Sequence, residues 1–178
     1  MGKQGLIIVH TGEGKGKTTA ALGLALRAWG GGLRVLILQF IKGGQKYGEL
    51  QAIDALRKAR PTIEVRQCGR GFTRRDEAHK EEHIAAAREA LSVAEEAIVS
   101  SEWDLVILDE INYAVKFGLI ETEDVLKLLQ KKPDSLHLVL TGRDAQPEIV
   151  EAADLVTEMK LIKHPFQQGI KAQLGIEF

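Results

Sequence analysis

Cysteine, proline and aromatic residues are all scarce in this chain, and each scarcity excludes something. One cysteine, Cys68, stands among 178 residues. It cannot form an internal disulfide, and no Cys/His pairs stand at zinc-ligand spacing, so a disulfide scaffold and a structural zinc site are both excluded. Four prolines, scattered along the chain, leave no proline-rich linker. No apolar run approaches the roughly 20 residues that a membrane-spanning helix needs. There is no charge excess either: 24 Lys and Arg face 25 Asp and Glu, a net charge of -1. Such a balance gives no global field to draw in nucleic acid or an anionic membrane. Any anion site must therefore be local. The first residues run directly into an apolar segment that His10 and Gly12 break too early for a signal peptide. These features together suit the reducing cytosol, and a cytoplasmic location is the expectation.

What is present is an alternation of strand and helix. Short apolar runs at 6–10, 34–40, 63–68, 104–109, 136–140 and 155–159 read as strands, several of them continuous, as expected where helices cover both sheet faces. Helical patterns fall at 17–29, 48–59, 76–100, 121–131 and 146–152. The prediction is a three-layer α/β/α fold around a mainly parallel sheet of about six strands, with right-handed crossovers. Nothing marks a second domain, so residues 1–178 are expected to form one. The longest helix begins in a mixed-charge run from Arg74 to His83, read as a solvated face. Its many alanines suggest close approach to a neighbouring helix, within the chain or across a subunit interface. Trp29 and Trp103, at element ends, read as packing anchors, and His79, His83 and His137 as solvated or capping residues. His10 packs the end of the first strand or belongs to the site beside it.

After the first strand comes Thr11-Gly12-Glu13-Gly14-Lys15-Gly16-Lys17-Thr18-Thr19, followed by an amphipathic helix start. A strand, a glycine-rich turn and a helix N-terminus form the context a phosphate loop requires. Glycines let backbone N–H groups turn toward phosphate oxygens, the first helical turn adds free donors, and Lys17 adds a full charge. The hydroxyl of Thr18 is placed to ligate magnesium, a hard cation that takes oxygen ligands. Lys17 and Thr18 are expected on an exposed loop. One position departs from the usual pattern, which has glycine where this chain has Thr11. A second lysine, Lys15, points to a heavily charged phosphate tail. Some ninety residues downstream, four apolar residues lead into Asp109 and Glu110, which brings carboxylates to the edge of a sheet where ligands of open α/β folds bind. One or both are expected to hold the magnesium. The bare alternative is a glycine-rich turn with solvated lysines.

Four further stretches widen the picture: Gln39-Phe40-Ile41-Lys42-Gly43 with Gly48-Glu49, Gly69-Arg70-Gly71-Phe72-Thr73, Leu108-Asp109-Glu110-Ile111-Asn112, and Thr141-Gly142-Arg143. Together with the tail from Lys163-His164-Pro165-Phe166 to Phe178, they resemble, in order and spacing, the ATP:corrinoid adenosyltransferases of the phosphate-loop type. The resemblance covers nearly the whole chain. It implies that the loop grips the triphosphate of ATP in reverse of the usual orientation, that a cobalt(I) corrinoid attacks C5′ of the ribose, and that inorganic triphosphate leaves. It implies Thr18 and Glu110 as magnesium ligands with Asp109 behind or in exchange, Lys17 and Arg143 as charge stabilisers on the phosphate or corrin side, and Phe72 as the aromatic that crowds the lower face of the cobalt. It implies further a homodimer and a cobalt reductant such as a flavoprotein. In the family a tryptophan commonly follows the threonine of the third motif, whereas Arg74 follows Thr73 here. The N-terminal arm of longer family members is expected to be absent. The rival reading is a small kinase or ATPase acting at the γ-phosphate, and the segment from Arg70 to Arg75 leaves both open. A nucleic-acid-associated ATPase is disfavoured by the charge balance, and a non-catalytic nucleotide-binding regulator by the pairing of loop and acid.

Overall fold

The computed structural model describes residues 4–44, 47–71 and 79–177. Six strands form one sheet in the order β3-β2-β4-β5-β1-β6, where β1 is Ile7–Thr11, β2 Val35–Gln39, β3 Ile63–Gln67, β4 Leu105–Asp109, β5 His137–Thr141 and β6 Leu155–Glu158. Every pairing is parallel. The helices are α1 Lys17–Gly30, α2 Gly48–Ala59, α3 Lys80–Val99, α4 Ile111–Lys116, α5 Thr122–Gln130 and α6 Pro147–Glu151, with a 3-10 turn at Pro165–Gln168.

The period of two along a strand decides which helix lies on which face. Val35, Ile37, Leu105, Ile107 and Val139 point to one side and pack with Ala21, Ala25 and Ala28 of α1 and Ile53 of α2. Leu36, Leu38, Val106, Leu108, Leu138 and Leu140 point to the other, where α3, α4, α5 and α6 complete the second core. Burying each of these aliphatic side chains contributes about 1.5–3 kcal/mol, so the two cores, not helix propensity, hold the layers. Ala87, Ala90, Ala94 and Ala97 of α3 lie within that second core beside Leu36, Leu38 and Val106. The alanine stripe that suggested a helix or subunit partner therefore seats α3 against its own sheet. His83, expected to be solvated or capping, is buried on the same helix.

Element ends shift by a residue or so throughout, the first strand running from Ile7 to Thr11 instead of 6–10, and three differences bear on the site. Helix α4 was not anticipated: its N-cap Glu110 has φ 64° and offers no side-chain cap to read. The fifth strand ends one residue later than expected, which puts Thr141 on the sheet. The long helix begins at Lys80 among the described residues, and Phe72, Thr73 and Arg74 lie outside them. Trp29 donates its indole N–H to the Arg60 carbonyl at 3.3 Å, and Trp103 packs against the second core, both as anchors.

Two loops at the carboxyl edge are joined backbone to backbone. The N–H of Gly69 points to the carbonyls of Gln39 and Lys42 (3.2 and 3.1 Å), and that of Gly71 to Ile41 (2.9 Å). A Cβ on Gly69 would lie 2.3 Å from the Ile41 carbonyl, so only glycine fits. Gly69→Ala is expected to cost about 1–3 kcal/mol through overpacking, lowering Tm by roughly 3–10 °C. Gly23→Ala, on α1 with nothing within 4 Å of the added carbon, should leave Tm unchanged or raise it. Thermal denaturation followed by circular dichroism separates the two, and an unchanged Tm in Gly69→Ala would refute the account.

Candidate functional site

The strand order places the site. Because β5 lies between β1 and β4, the loop after β1 and the acids after β4 flank the tip of β5 at the carboxyl edge of the sheet. Gly12 (φ 96°) and Gly16 (φ 107°) take the left-handed positions that shape the loop, and Gly16 serves as N-cap of α1. Thr11 is the last residue of β1, in extended backbone that does not require glycine. Its Oγ1 accepts the Ala145 N–H at 3.1 Å, tying down the β5–α6 loop that carries Arg143. Threonine at this position thus anchors a neighbouring loop while the glycines behind it do the turning.

Lys17 is not the exposed charge the sequence suggested. It is 7% exposed, and its Nζ donates to the carbonyls of Gly12 (2.7 Å) and Gly14 (2.6 Å). Burial pulls its pKa below the ordinary value, countered by the charge of Glu110. Thr18 Oγ1 donates to Asp109 Oδ1 at 2.8 Å, which joins loop and acid directly. Thr141 Oγ1 donates to the same oxygen at 2.8 Å and accepts the Glu110 N–H at 2.9 Å. On the other side of Asp109, Gln39 Nε2 and Lys42 Nζ each lie 3.4 Å from Oδ2. Lys42 also pairs with Glu49 at 3.2 Å. Burial opposes its charge, yet Asp109 and Glu49 outweigh that and raise its pKa. Lys42 is thus a site residue, not a surface charge.

A cleft of about 690 Å³ opens over these groups, walled by Gly14, Lys15, Gly16, Lys17, Thr18 and Thr19 of the loop, by Lys42 and Glu49, and by Glu110 and Arg143. Tyr47, Tyr113 and the tail residues Gly175, Ile176 and Glu177 complete the wall. Thr11, Gly12, Glu13 and Asp109 are not among its lining residues. Glu13 faces Arg143 at 3.5 Å, and Lys15 is ion-paired with Glu177. Glu110 therefore meets the cleft while Asp109 supports it from within. Burial pushes the Glu110 carboxyl above its ordinary value, Asp109 adds to that, and Lys17, Lys42 and Arg143 pull it back. His10 sits under the loop, 9% exposed, with its imidazole pKa lowered by burial and Nδ1 unpartnered. Phe72 lies outside the described residues. Sequence reasoning missed the part played by Thr141: the residue was visible beside Arg143, but its place between loop and acid depends on a strand order that no local pattern carries.

Fold and site define a phosphate-loop nucleotide-binding protein. The chain belongs to the ATP:corrinoid adenosyltransferase family (BtuR/CobO/CobP), whose family model it matches over residues 3–178. It is 43% identical over 176 residues to a corrinoid adenosyltransferase of Pseudomonas aeruginosa, covering 99% of this chain and 85% of that one. To the corrinoid adenosyltransferase of Escherichia coli K12 it is 39% identical over 176 residues, covering 99% and 87%. Among solved structures, the flagellar accessory protein FlaH of Methanocaldococcus jannaschii shares the fold at a TM-score of 0.57 and 13% identity, over 88% of this chain and 72% of that one.

The raised Glu110 pKa makes a stability prediction. A carboxyl whose folded pKa lies above its unfolded value binds more protons when folded, so its contribution is favourable at low pH and is lost as pH rises through the window above the ordinary 4.5. Glu110→Gln is expected to raise the Tm of the ligand-free protein by a few degrees at pH 7.5 and by much less at pH 4. An equal shift at both pH values would contradict the assignment.

Proposed function

We propose that this chain transfers the 5′-deoxyadenosyl group of ATP to the cobalt(I) of a corrinoid and releases inorganic triphosphate. The observation that carries the reading is the junction of loop and acid in a chain of this family: Thr18 bonded to Asp109 at 2.8 Å, with Glu110 on the wall of the same cleft. In this reaction the electron pair of cobalt(I) forms the bond to C5′, and the C5′–O bond breaks with its electrons leaving on the triphosphate. The attacking atom carries no proton, so no general base is needed. What the chain must supply is charge stabilisation for the leaving group, and Lys15, Lys17 and Arg143 on the cleft wall, with the loop amides, would supply it once the triphosphate takes the place of their internal partners.

Among the described residues no cluster of three His, Cys, Asp or Glu could hold a metal by itself. One hydroxyl and two carboxylates instead suit magnesium, which keeps waters and is bound through one or two carboxylates together with substrate phosphates. Thr18 and Glu110 would hold it, with Asp109 orienting Thr18, and it would neutralise charge on the phosphate oxygens. The proposal extends to a homodimer and a separate cobalt reductant such as a flavoprotein. A second copy is supported by β6, exposed along its whole length, and by the exposed Ile162, Phe166, Leu174 and Ile176 of the tail. A cytoplasmic location and a single domain spanning 1–178 belong to the same reading, supported by the free thiol of Cys68 and one continuous sheet.

Incubation with ATP, magnesium and chemically reduced cobalamin is expected to yield the cobalt–carbon bond in the visible spectrum and one triphosphate per corrinoid. Lys17→Ala and Thr18→Ala should each lose at least about 100-fold in kcat, with the fold confirmed by circular dichroism. Release of orthophosphate or ADP independent of corrinoid would overturn the reading in favour of chemistry at the γ-phosphate. Asp109→Asn should lower turnover less than Glu110→Gln does at limiting magnesium, and the reverse order would move the ligand to Asp109.

Phe72 separates adenosyl transfer from its rivals. Phe72 follows in sequence Gly69 and Gly71, whose N–H groups bond to the carbonyls of Gln39, Lys42 and Ile41. Phe72→Ala is expected to leave ATP affinity within twofold, to cost more than tenfold in rate when cobalt(II) must be reduced on the enzyme, and to cost little with pre-reduced cobalt(I). Equal losses on both forms would assign Phe72 to packing alone.

A further inference from the structure

Thr141 is 0% exposed and its hydroxyl both donates and accepts. It has a single proton, given to Asp109 Oδ1 at 2.8 Å, and one lone pair takes the Glu110 N–H at 2.9 Å. The register of β4 and β5 pairs Leu108 with Leu140, so Thr141 and Asp109 are the next residues along two adjacent strands. Thr18 sends its own single proton to the same Oδ1 at 2.8 Å. A hydroxyl that has donated its proton keeps two lone pairs, and those of Thr18 are left for the cleft that the residue lines. Glu110 stands at φ 64°, a conformation that costs a non-glycine residue about 1–2 kcal/mol and persists only where surrounding contacts hold it. The bond from its N–H to Thr141 is such a contact.

We infer that Thr141 is the positioning residue for the magnesium-nucleotide: one hydroxyl sets the direction of both oxygen donors, Thr18 Oγ1 through Asp109 and the Glu110 carboxylate through its backbone. The inference rests on the proposed magnesium–ATP reading of the cleft. Without the hydroxyl, Asp109 Oδ1 loses one of two donors and is free to turn toward Gln39 and Lys42. The Glu110 N–H loses its acceptor, and the peptide can relax to an ordinary φ that carries the carboxylate off the cleft wall. A purely structural threonine would instead lower the stability of the protein and leave its dependence on magnesium alone.

The test is a thermal-shift titration of the full chain with ATP in EDTA and with ATP plus increasing magnesium, for the unmodified chain, Thr141→Val and Thr141→Ser. Thr141→Val is expected to keep the ATP shift in EDTA, while its half-saturating magnesium rises at least tenfold. Thr141→Ser should restore the unmodified value. In adenosyl transfer the same variant should show a raised KM for magnesium with kcat at saturation within a few-fold. An unmodified magnesium titration in Thr141→Val, or a Thr141→Ser as deficient as Thr141→Val, would overturn the inference while leaving the magnesium site standing. A failure of the unmodified chain to respond to magnesium would overturn the reading of the site and the inference with it. Should Thr141→Val not fold, Thr141→Ala takes its place under the same criteria, and failure of both to fold would assign the hydroxyl to stability alone.

Discussion

A buried carboxylate at the carboxyl end of β4 is the constraint on which the site depends. Asp109 is 1% exposed, and a charge in that position is tolerated only when its oxygens are ligated from several directions. The ligands come from several elements at this edge: Thr18 from the start of α1, Thr141 from β5, Gln39 from β2 and Lys42 from the loop beyond it. Apart from Gln39 and Lys42, three residues from each other, these ligands lie far apart in sequence. The order β3-β2-β4-β5-β1-β6 is what lets them converge, since β2 and β5 are the immediate neighbours of β4 and the loop after β1 reaches over β5. Satisfying one carboxylate thereby fixes the mutual position of the phosphate loop, the acid that faces the cleft and the lysine opposite.

The polar ligation continues outward from Asp109. Gln39 accepts from Gln67 Nε2 at 3.2 Å, and Gln39 and Gln67 are register partners at the ends of β2 and β3. The backbone beyond Gln67 then folds onto Ile41 and Lys42 through Gly69 and Gly71. A run of hydrogen bonds thus leads from the phosphate loop across three adjacent strands, β4, β2 and β3, to the segment that ends at Gly71. Packing on either side is apolar and rigid, so displacement at one end has few ways to be absorbed.

Much of this was legible in the sequence, for identifiable reasons. Continuous apolar runs such as 35–38 and 105–108 announce strands covered on both faces, and the strand-glycine-helix context at 11–19 announces the phosphate loop. Helix α4 escaped because it is one and a half turns long and starts from a left-handed glutamate that no capping rule anticipates. The alanines of α3 gave the right buried stripe but not its partner, since period 3.6 says which residues are inside and nothing about what covers them. Lys17 was read as exposed because it sits on a loop whose role is to meet the charge of a ligand, whereas the carbonyls of Gly12 and Gly14 satisfy it within the fold. The functions of Thr11 and Thr141 depend on strand neighbours remote in sequence, which local pattern does not encode.

The cations around the cleft are already occupied from within. Lys15 is held by Glu177, Lys17 by two loop carbonyls, Lys42 by Glu49 and Asp109, and Arg143 faces Glu13. Admission of an anion is then an exchange reaction, in which each internal partner must be replaced. A singly charged anion can replace one and leaves the others intact, so it gains little over the arrangement it disturbs. A chain of linked phosphates replaces several from one covalent skeleton, each later exchange being intramolecular once the first has occurred. Discrimination by valence follows, favouring a chain of linked phosphates over small anions and short phosphate esters.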